Sequence, residues 1–345
     1  MWNNSFVKNI CILEEKHMYI NQIFELSMVL NNDKFQKVLS RAYDKKDYLD
    51  ENGKEYIDPS LESKGIVVAY RDSQYKKKVK LIVNSRLLLD CNKPDPDKIV
   101  RKLEKRIGEY FDHKYQIEDF TLSTMILCVD IDVHNRENVS AYLKVLQRIG
   151  RVKGFSPVRY ECFENVDSFY LEGNSNGIDF IIHDLKGLYE RRLDEDNVGR
   201  KNFKAAIRES KGILRAEVRL TKTKTVRIYA DKEDISAQII TLSEKCQDIF
   251  LETFVRIIPY GDFYKKGKAE EIIRREIKDA GLRRRMLRLV ELIPEKKSLH
   301  LAQRAMNCRN IEKVIKAYAK INLSPITISK RQDVKYLKNL YDYIF

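Results

Sequence analysis

A chain of 345 residues is too long for one small domain and sets an expectation of two, and its 43% apolar content is enough for real cores. No apolar run approaches the roughly 20 residues a membrane-spanning helix needs. The opening MWNNSFVKNICILEEKHM lacks a basic stretch followed by an apolar one, and the six cysteines include no Cys-x-x-Cys pair. These features argue against a secretory signal, a disulfide scaffold and a zinc knuckle, and point to a reducing cytoplasm. The formal net charge of +14 favours a polyanionic partner, nucleic acid before membrane.

Residues 1–62 are mixed, with an apolar rhythm at Ile20, Phe24, Leu26, Met28 and Leu30, and they close on the loop-like DENGKEYIDPS. Strand-like runs over 64–70 and 76–89 flank the polar turn RDSQ and read as a hairpin. KPDPDK starts a helix in which Ile99, Val100, Leu103, Ile107 and Tyr110 recur at helical spacing. An extended segment over 117–133 ends in LCVDIDVH. A helix over 136–149 then turns Val139, Tyr142, Leu143, Leu146 and Ile149 inward. Strands are predicted over 155–163, 168–172 and 178–185, the last two joined by the turn GNSNG. A polar stretch over 191–200 and a short helix lead to one more strand, KGILRAEVRLTK at 211–222. Everything beyond about Asp231 reads helical. The expected fold is α+β: mainly antiparallel sheets from two strand-rich units with packed helices, then an all-helical C-terminal region. The corresponding divisions are 1–62, 63–230 and 231–345.

Three sets of residues have chemistry to offer. In the strand over 211–222, Leu214, Ala216, Val218 and Leu220 form an unbroken apolar row, and Ile213, Arg215, Glu217 and Arg219 face the other way. A carboxylate between two arginines is held ionised, and such a row can hold a metal or a phosphate. A solvated strand face with cross-strand ion pairs explains it as well. Asp130 and Asp132 share a strand face, with His134 just past them. Two carboxylates so placed repel unless a divalent ion or a lysine neutralises them, the alternative being a strand-end turn with exposed acids.

In FIIHDLKGLYERR, the second set, a strand ends in His183 and Asp184, with Lys186 and Tyr189 beyond. A histidine near carboxylates can ligate a metal or move a proton, or simply be structural. Tyr189, among Lys186, Arg191 and Arg192, is a phenol whose ionisation nearby cations would favour.

The third set is the stretch over 263–289, where an apolar helical face is crowded by Lys265, Lys266, Lys268, Arg274, Arg275, Arg283, Arg284 and Arg285. From Pro259 onward 21 lysines and arginines stand against 10 acids, a net of +11, so most of the excess charge lies in the last quarter of the chain. Phosphate contacts explain that concentration better than a solvated helix, which alternates its signs more evenly.

The order of these segments resembles the phage and plasmid replication proteins of the filamentous-phage gene II and gene X type. The pieces are TMILCVDIDVHNRENVSAYLKVL, GIDFIIHDLKGLYE, GILRAEVRL and YGDFYKKGKAEEIIRREI, spanning residues 124–277. The same order is similar to that of plasmid rolling-circle initiators and conjugative relaxases of the replication-transfer type. The resemblance implies a site-specific DNA nickase in which a tyrosine attacks a phosphodiester, a divalent Mg²⁺ or Mn²⁺ supports it, and a later transfer reseals the strand. It implies Asp130, Asp132 and Glu217 as metal ligands with His183 as a fourth, and Arg215, Arg219 and Lys186 facing the phosphate. The chain departs from the family's Tyr-Asp-Lys element, where it has His183-Asp184-Leu185-Lys186. The nucleophile is therefore not carried over; Tyr189 is the first choice, and Tyr260 and Tyr264 are the reserves. There is no His-hydrophobic-His pair and no Gly-x-x-x-x-Gly-Lys-Ser/Thr loop, so unwinding would fall to a host helicase working with a host polymerase on origin DNA. A non-catalytic origin-binding protein is the competing reading. RNA binding ranks below both, since no stacking aromatics beside glycine mark an RNA-recognition strand.

Overall fold

The computed structural model describes residues 18–40, 55–73, 75–158, 168–195, 200–308 and 310–345. Nine of its strands run, in chain order, as β1 (Asn21–Leu30), β2 (Glu55–Asp58), β3 (Ile66–Asp72), β4 (Lys77–Asn84), β5 (Thr121–Asp132), β6 (Phe155–Pro157), β7 (Ser168–Gly173), β8 (Ile178–Asp184) and β9 (Ile213–Leu220). They form one sheet in the order β2-β3-β4-β1-β5-β9-β8-β7-β6, with every neighbouring pair antiparallel. The helices are α1 (Asn32–Leu39), α2 (Ser85–Leu89), α3 (Pro96–Tyr110), α4 (Arg136–Leu146), α5 (Leu185–Glu195), α6 (Arg200–Glu209), α7 (Thr223–Ala230), α8 (Ile235–Glu244) and α9 (Cys246–Ile257). Beyond them lie α10 (Lys266–Glu276), α11 (Ala280–Lys296), α12 (Leu299–Ala305), α13 (Ile311–Lys320) and α14 (Tyr341–Ile344). A two-residue ladder of β10 (Phe263–Tyr264) on β11 (Tyr336–Leu337) ties this region together. The fold is α+β with a helical C-terminal region, as expected. Among the described residues no helix is long and apolar enough to cross a membrane.

Two units of the same course meet at the centre of the sheet. Each begins with a strand, crosses a helix to an outer edge, and walks back as a meander until its last strand pairs with its first. The first unit runs β1-α1-β2-β3-β4 and the second β5-α4-β6-β7-β8-β9, with α5 and α6 inserted before β9. The β1–β5 pairing joins them. The first unit therefore includes the described residues 21–40 and 55–62. The stretch expected to stand apart supplies a central strand, because Phe24, Leu26 and Met28 recur at period two and all three are buried.

In–out alternation gives the sheet a dry face and a polar one. Phe24, Leu26, Val79, Leu81, Met125, Leu127, Leu214, Val218 and Phe180 line the dry face, each fully buried and contributing on the order of 1.5–3 kcal/mol. Helices cover that face: the ring of Phe254 on α9 meets Phe180 edge-on at 6.1 Å. The hydroxyl of Tyr110 on α3 lies 2.6 Å from that of Tyr70 and donates to Asp58 at 2.7 Å.

Several predicted bounds shift for local reasons. The run over 76–89 is a strand only to Asn84. The Asn84 side chain accepts from the backbone N–H groups of Arg86 and Leu87, which caps α2 and ends β4. Within DENGKEYIDPS, EYID pairs with β3 as β2, and a 3-10 turn, Pro59–Lys64, follows. The polar stretch from 191 continues α5 to Glu195. The predicted strand over 155–163 is present as β6, and its part from 159 onward lies outside the described residues, as do Cys11 and Cys162.

The C-terminal region folds back on the sheet's helices. Tyr142 of α4 donates its hydroxyl to the Lys338 carbonyl at 2.6 Å, Arg148 donates to the Thr327 carbonyl at 2.9 Å, and Tyr341 donates to the Ile258 carbonyl at 2.8 Å. The turn at Gly261 has φ +122°, and an added Cβ would lie 2.4 Å from the Leu323 carbonyl carbon. Gly261→Ala should therefore lower the unfolding free energy by about 2 kcal/mol. Gly267, in the first turn of α10, has open space around it, so Gly267→Ala should raise stability by about 0.5 kcal/mol. Urea melts of the two variants, which should move in opposite directions, check both.

Candidate functional site

Strands β5, β9 and β8 put their polar rows on the face opposite the covering helices. The register sets Asp130 against Arg215, Cys128 against Glu217, His183 against Arg215, and Asp179 against Arg219. Each of these residues is one step from an apolar neighbour that fixes it on this side of the sheet.

Two ion-pair groups result. Arg215 grips Asp130 with both arms of its fork, Nε to Oδ1 at 2.7 Å and Nη2 to Oδ2 at 2.8 Å. Burial works against the Arg215 charge, yet the hydrogen bonds and charge of Asp130 outweigh it and hold the guanidinium above its ordinary pKa. Arg219 donates Nε and Nη2 to Oε2 of Glu217 at 2.8 and 2.6 Å. The other carboxylate oxygen, Oε1, lies 3.4 Å from His183 Nε2. Glu217 and His183 are each 5% exposed. Burial pushes the Glu217 carboxyl up, but Arg219 first, then His183 and Arg215, hold it below the usual carboxylate range.

The four expected metal ligands are thus not one cluster, and among the described residues no three His, Cys, Asp or Glu side chains gather to hold an ion. Both Asp130 oxygens are committed to Arg215. Asp132 is exposed at the strand end, where its Oδ1 accepts the His134 backbone N–H at 2.8 Å and helps set the His134 turn at φ +74°. Of the four expected ligands, His183 and Glu217 are the two that come together, Nε2 to Oε1 at 3.4 Å, close to the roughly 3 Å that separates adjacent ligands of one ion. Magnesium sites often have no more than one or two protein ligands, with water and substrate phosphate completing the shell.

Of the remaining site residues, Asp184 points to the other side and caps α5, accepting the Lys186 N–H at 3.0 Å. Lys186 pairs with Glu190 at 3.0 Å. Tyr189 follows one turn into α5, close enough to act electrostatically on the Arg215 guanidinium. Tyr260 and Tyr264 pack their rings on Tyr341 and Tyr336, each at 5.1 Å, and burial raises both phenols. They serve the C-terminal packing.

Sequence reasoning missed three residues on this face. Asp179 accepts from Tyr170 Oη at 3.0 Å and from the Gly173 N–H at 3.1 Å, and burial together with Asp179 pushes the Tyr170 phenol up to about 12. Counting back by twos from His183 would have found it. Cys128 is buried between the two ion-pair groups, and burial and then Glu217 raise its thiol. Tyr19, two residues before β1, reaches the electrostatic range of Asp130 and Cys128, with the Arg86 guanidinium 5.6 Å from its ring centre.

The basic C-terminal helices are more neutralised than their composition implies. Lys266 lies 3.6 Å from Glu270, Lys268 2.8 Å from Glu271, Arg274 4.0 Å from Glu270 and Arg275 2.7 Å from Glu276. Exposed pairs of this kind contribute about 0–1 kcal/mol and can exchange for phosphate. Lys265 is different: its ammonium donates to the carbonyls of Ser329, Lys330 and Gln332 and pins that loop. Arg283 donates to the Ile277 carbonyl at 3.1 Å, and the Arg285 Nε is buried. Arg284 is exposed on the outer stripe of α11.

No family model matches the sequence, and no curated protein does. Among solved structures, the chain is similar to a rolling circle replication initiator protein from Geobacillus stearothermophilus. The identity is 11%, the match covers 74% of this chain and 84% of that one, and the TM-score is 0.27. A likeness of that size establishes neither a shared fold nor a shared site.

Glu217→Gln should cost about 2 kcal/mol at pH 7, because it leaves a half-buried arginine without its counter-charge. The Glu217 pKa is depressed on folding, so its contribution is complete above the ordinary value of 4.5 and lost as pH falls through the lower folded value. The gap between wild type and variant should therefore narrow below about pH 4.5 in urea melts taken across pH. For the helices, Arg284→Ala should flatten the slope of log K against log salt on duplex DNA by about 0.9. Lys265→Met should leave that slope alone and lower stability by about 2 kcal/mol.

Proposed function

We propose that the chain is a DNA replication initiator that nicks one strand of an origin and later transfers it, with Tyr189 as nucleophile. The observation that carries the reading is the polar face of β5, β9 and β8. There two arginines are held charged by carboxylates, beside a buried His–Glu pair and with Tyr189 within electrostatic reach of Arg215. In the reaction the Tyr189 phenol gives up its proton and bonds to phosphorus. The bond from phosphorus to the neighbouring sugar oxygen breaks, and that oxygen takes a proton. The ester keeps the energy of the broken bond, so the same exchange run with another sugar hydroxyl reseals a strand.

Arg215 and Arg219 would stabilise the charge gathering on the phosphoryl oxygens. An arginine has five N–H donors, and the Asp130 fork uses two of those on Arg215. Lys186 would steer the strand toward α5. His183 and Glu217 would hold Mg²⁺ or Mn²⁺, which when bound polarises the phosphoryl oxygen. Under this reading the origin DNA is gripped by the C-terminal helices, and a host helicase and polymerase in the cytoplasm extend the nicked strand.

A second reading is a non-catalytic origin-binding protein. The full commitment of Asp130 to Arg215 favours it, because a saturated ion pair also serves as plain scaffold.

Supercoiled DNA carrying the replicon's own origin separates the two. The nickase should convert it to open circles with Mg²⁺ or Mn²⁺, stop with EDTA, and leave a covalent adduct on the peptide containing Tyr189. Tyr189→Phe should abolish nicking and adduct while binding stays within about twofold. Tight binding without nicking across metals would establish the second reading, and an adduct on the Tyr260–Tyr264 peptide would move the nucleophile there.

A further inference from the structure

The first unit of the sheet has its own polar face, and nothing above uses it. Its last strand, β4, stands where β9 stands in the second unit, next to the strand that opens the unit. On β9 the outward row is Arg215, Glu217 and Arg219; on β4 it is Lys78, Lys80 and Ile82. Arg71 of β3 lies directly opposite Lys78, and Val29 of β1 flanks it on the other side. Like charges directly opposed across strands destabilise a sheet, so this arrangement is costly unless something offsets it.

Glu25 is, among the described residues, the carboxylate that acts most strongly on Lys78. Among the described residues, none of Arg71, Lys76 and Lys78 has a carboxylate within ion-pair distance, and Lys77, which lies outside this row, is the residue that pairs with Asp72. Burial lowers the Lys78 pKa; Lys80, Arg71 and Lys76 lower it further, and Glu25 acts the other way. A group of cations kept so close and partly desolvated favours an anion over water.

The apolar residues of this face indicate which anion. Val29 is 62% exposed, Ile82 37%, and Tyr75, at the tip of the β3–β4 hairpin, 88%. They are interspersed with the cations instead of forming one apolar patch, which argues against a membrane or a protein seated by hydrophobic burial. Duplex DNA hides its base faces within the stack. A single strand shows its bases and its phosphates together, and a basic sheet with an exposed aromatic meets both.

We propose that the polar face of the first unit binds single-stranded DNA, with phosphates along Arg71, Lys76 and Lys78 and a base stacked on Tyr75. It shares its partner's chemistry with the nicking reading but not its residues. In the assembled chain the two units would form one track, chemistry on the second and the displaced strand on the first.

The test uses the full-length chain and a fluorescent 20-nucleotide oligothymidylate that carries no origin sequence. In the double variant Lys76→Ala, Lys78→Ala, the slope of log K against log salt should flatten by about 1.4, near 0.7 for each lost single-strand contact. Tyr75→Ala should weaken binding about tenfold and leave binding to a 20-base-pair duplex unchanged. Its side chain is almost wholly exposed, so this variant carries the test even if the lysine variant does not fold. Wild-type affinity and slope in both variants would overturn the proposal. So would an equal loss on single strand and duplex, which would reduce the face to unspecific charge. Nicking of an origin oligonucleotide is followed in parallel: its absence from the wild type counts against the nickase reading and leaves the binding result intact.

Discussion

A carboxylate almost wholly removed from water sits in the middle of the sheet, and much of the second unit follows from that placement. Glu217 is tolerable there only because Arg219 shares its strand and row, and because β8 places His183 diagonally to it, opposite Arg215, with Nε2 3.4 Å from Oε1. Both conditions are statements about register. Sliding β9 by one residue would turn Arg215, Glu217 and Arg219 into the dry face and Leu214, Ala216 and Val218 out of it. The apolar row and the charged row therefore enforce each other, and the ion pairs specify the pairing more than they add to its strength.

The two-unit plan gives the sheet a division of labour. Both units wind strand, helix and meander. Only the second carries an insertion, α5 and α6, between its last two strands, and that insertion brings Tyr189 within electrostatic reach of Arg215. A plain repeat thus becomes an asymmetric platform through one added helical pair. The expected separation into an N-terminal segment, an α+β domain and a helical domain is cut across by this plan, since β1 pairs with strands of both units and the C-terminal residues bond back to α4.

The sequence made β9 legible because one of its rows is wholly apolar and the other is charged beyond Ile213, and the helices at 96–110 and 136–146 were legible from spacing, the first also from the KPDPDK start. The grouping of the acids was not. Asp130 meets Arg215 across 85 residues of chain, and no local pattern says which distant strand will lie alongside. Asp132, two residues on, looks identical in the sequence but falls at the end of the ladder, opposite Ile213. β1 was obscured because its outward row, Ile23, Glu25, Ser27 and Val29, mixes polar and apolar types. In the C-terminal helices the acids three or four places from each lysine were visible, but Lys265 was not recognisable as a clamp, since the carbonyls it binds lie more than 60 residues downstream.

The bond from Tyr142 to the Lys338 carbonyl spans 196 residues. Because a chain emerges from the ribosome N-terminus first, α4 is synthesised long before the segment that completes its surroundings. Until then the flank of α4 that includes Tyr142, against which Phe263 also packs, lacks the partners that cover it in the folded chain.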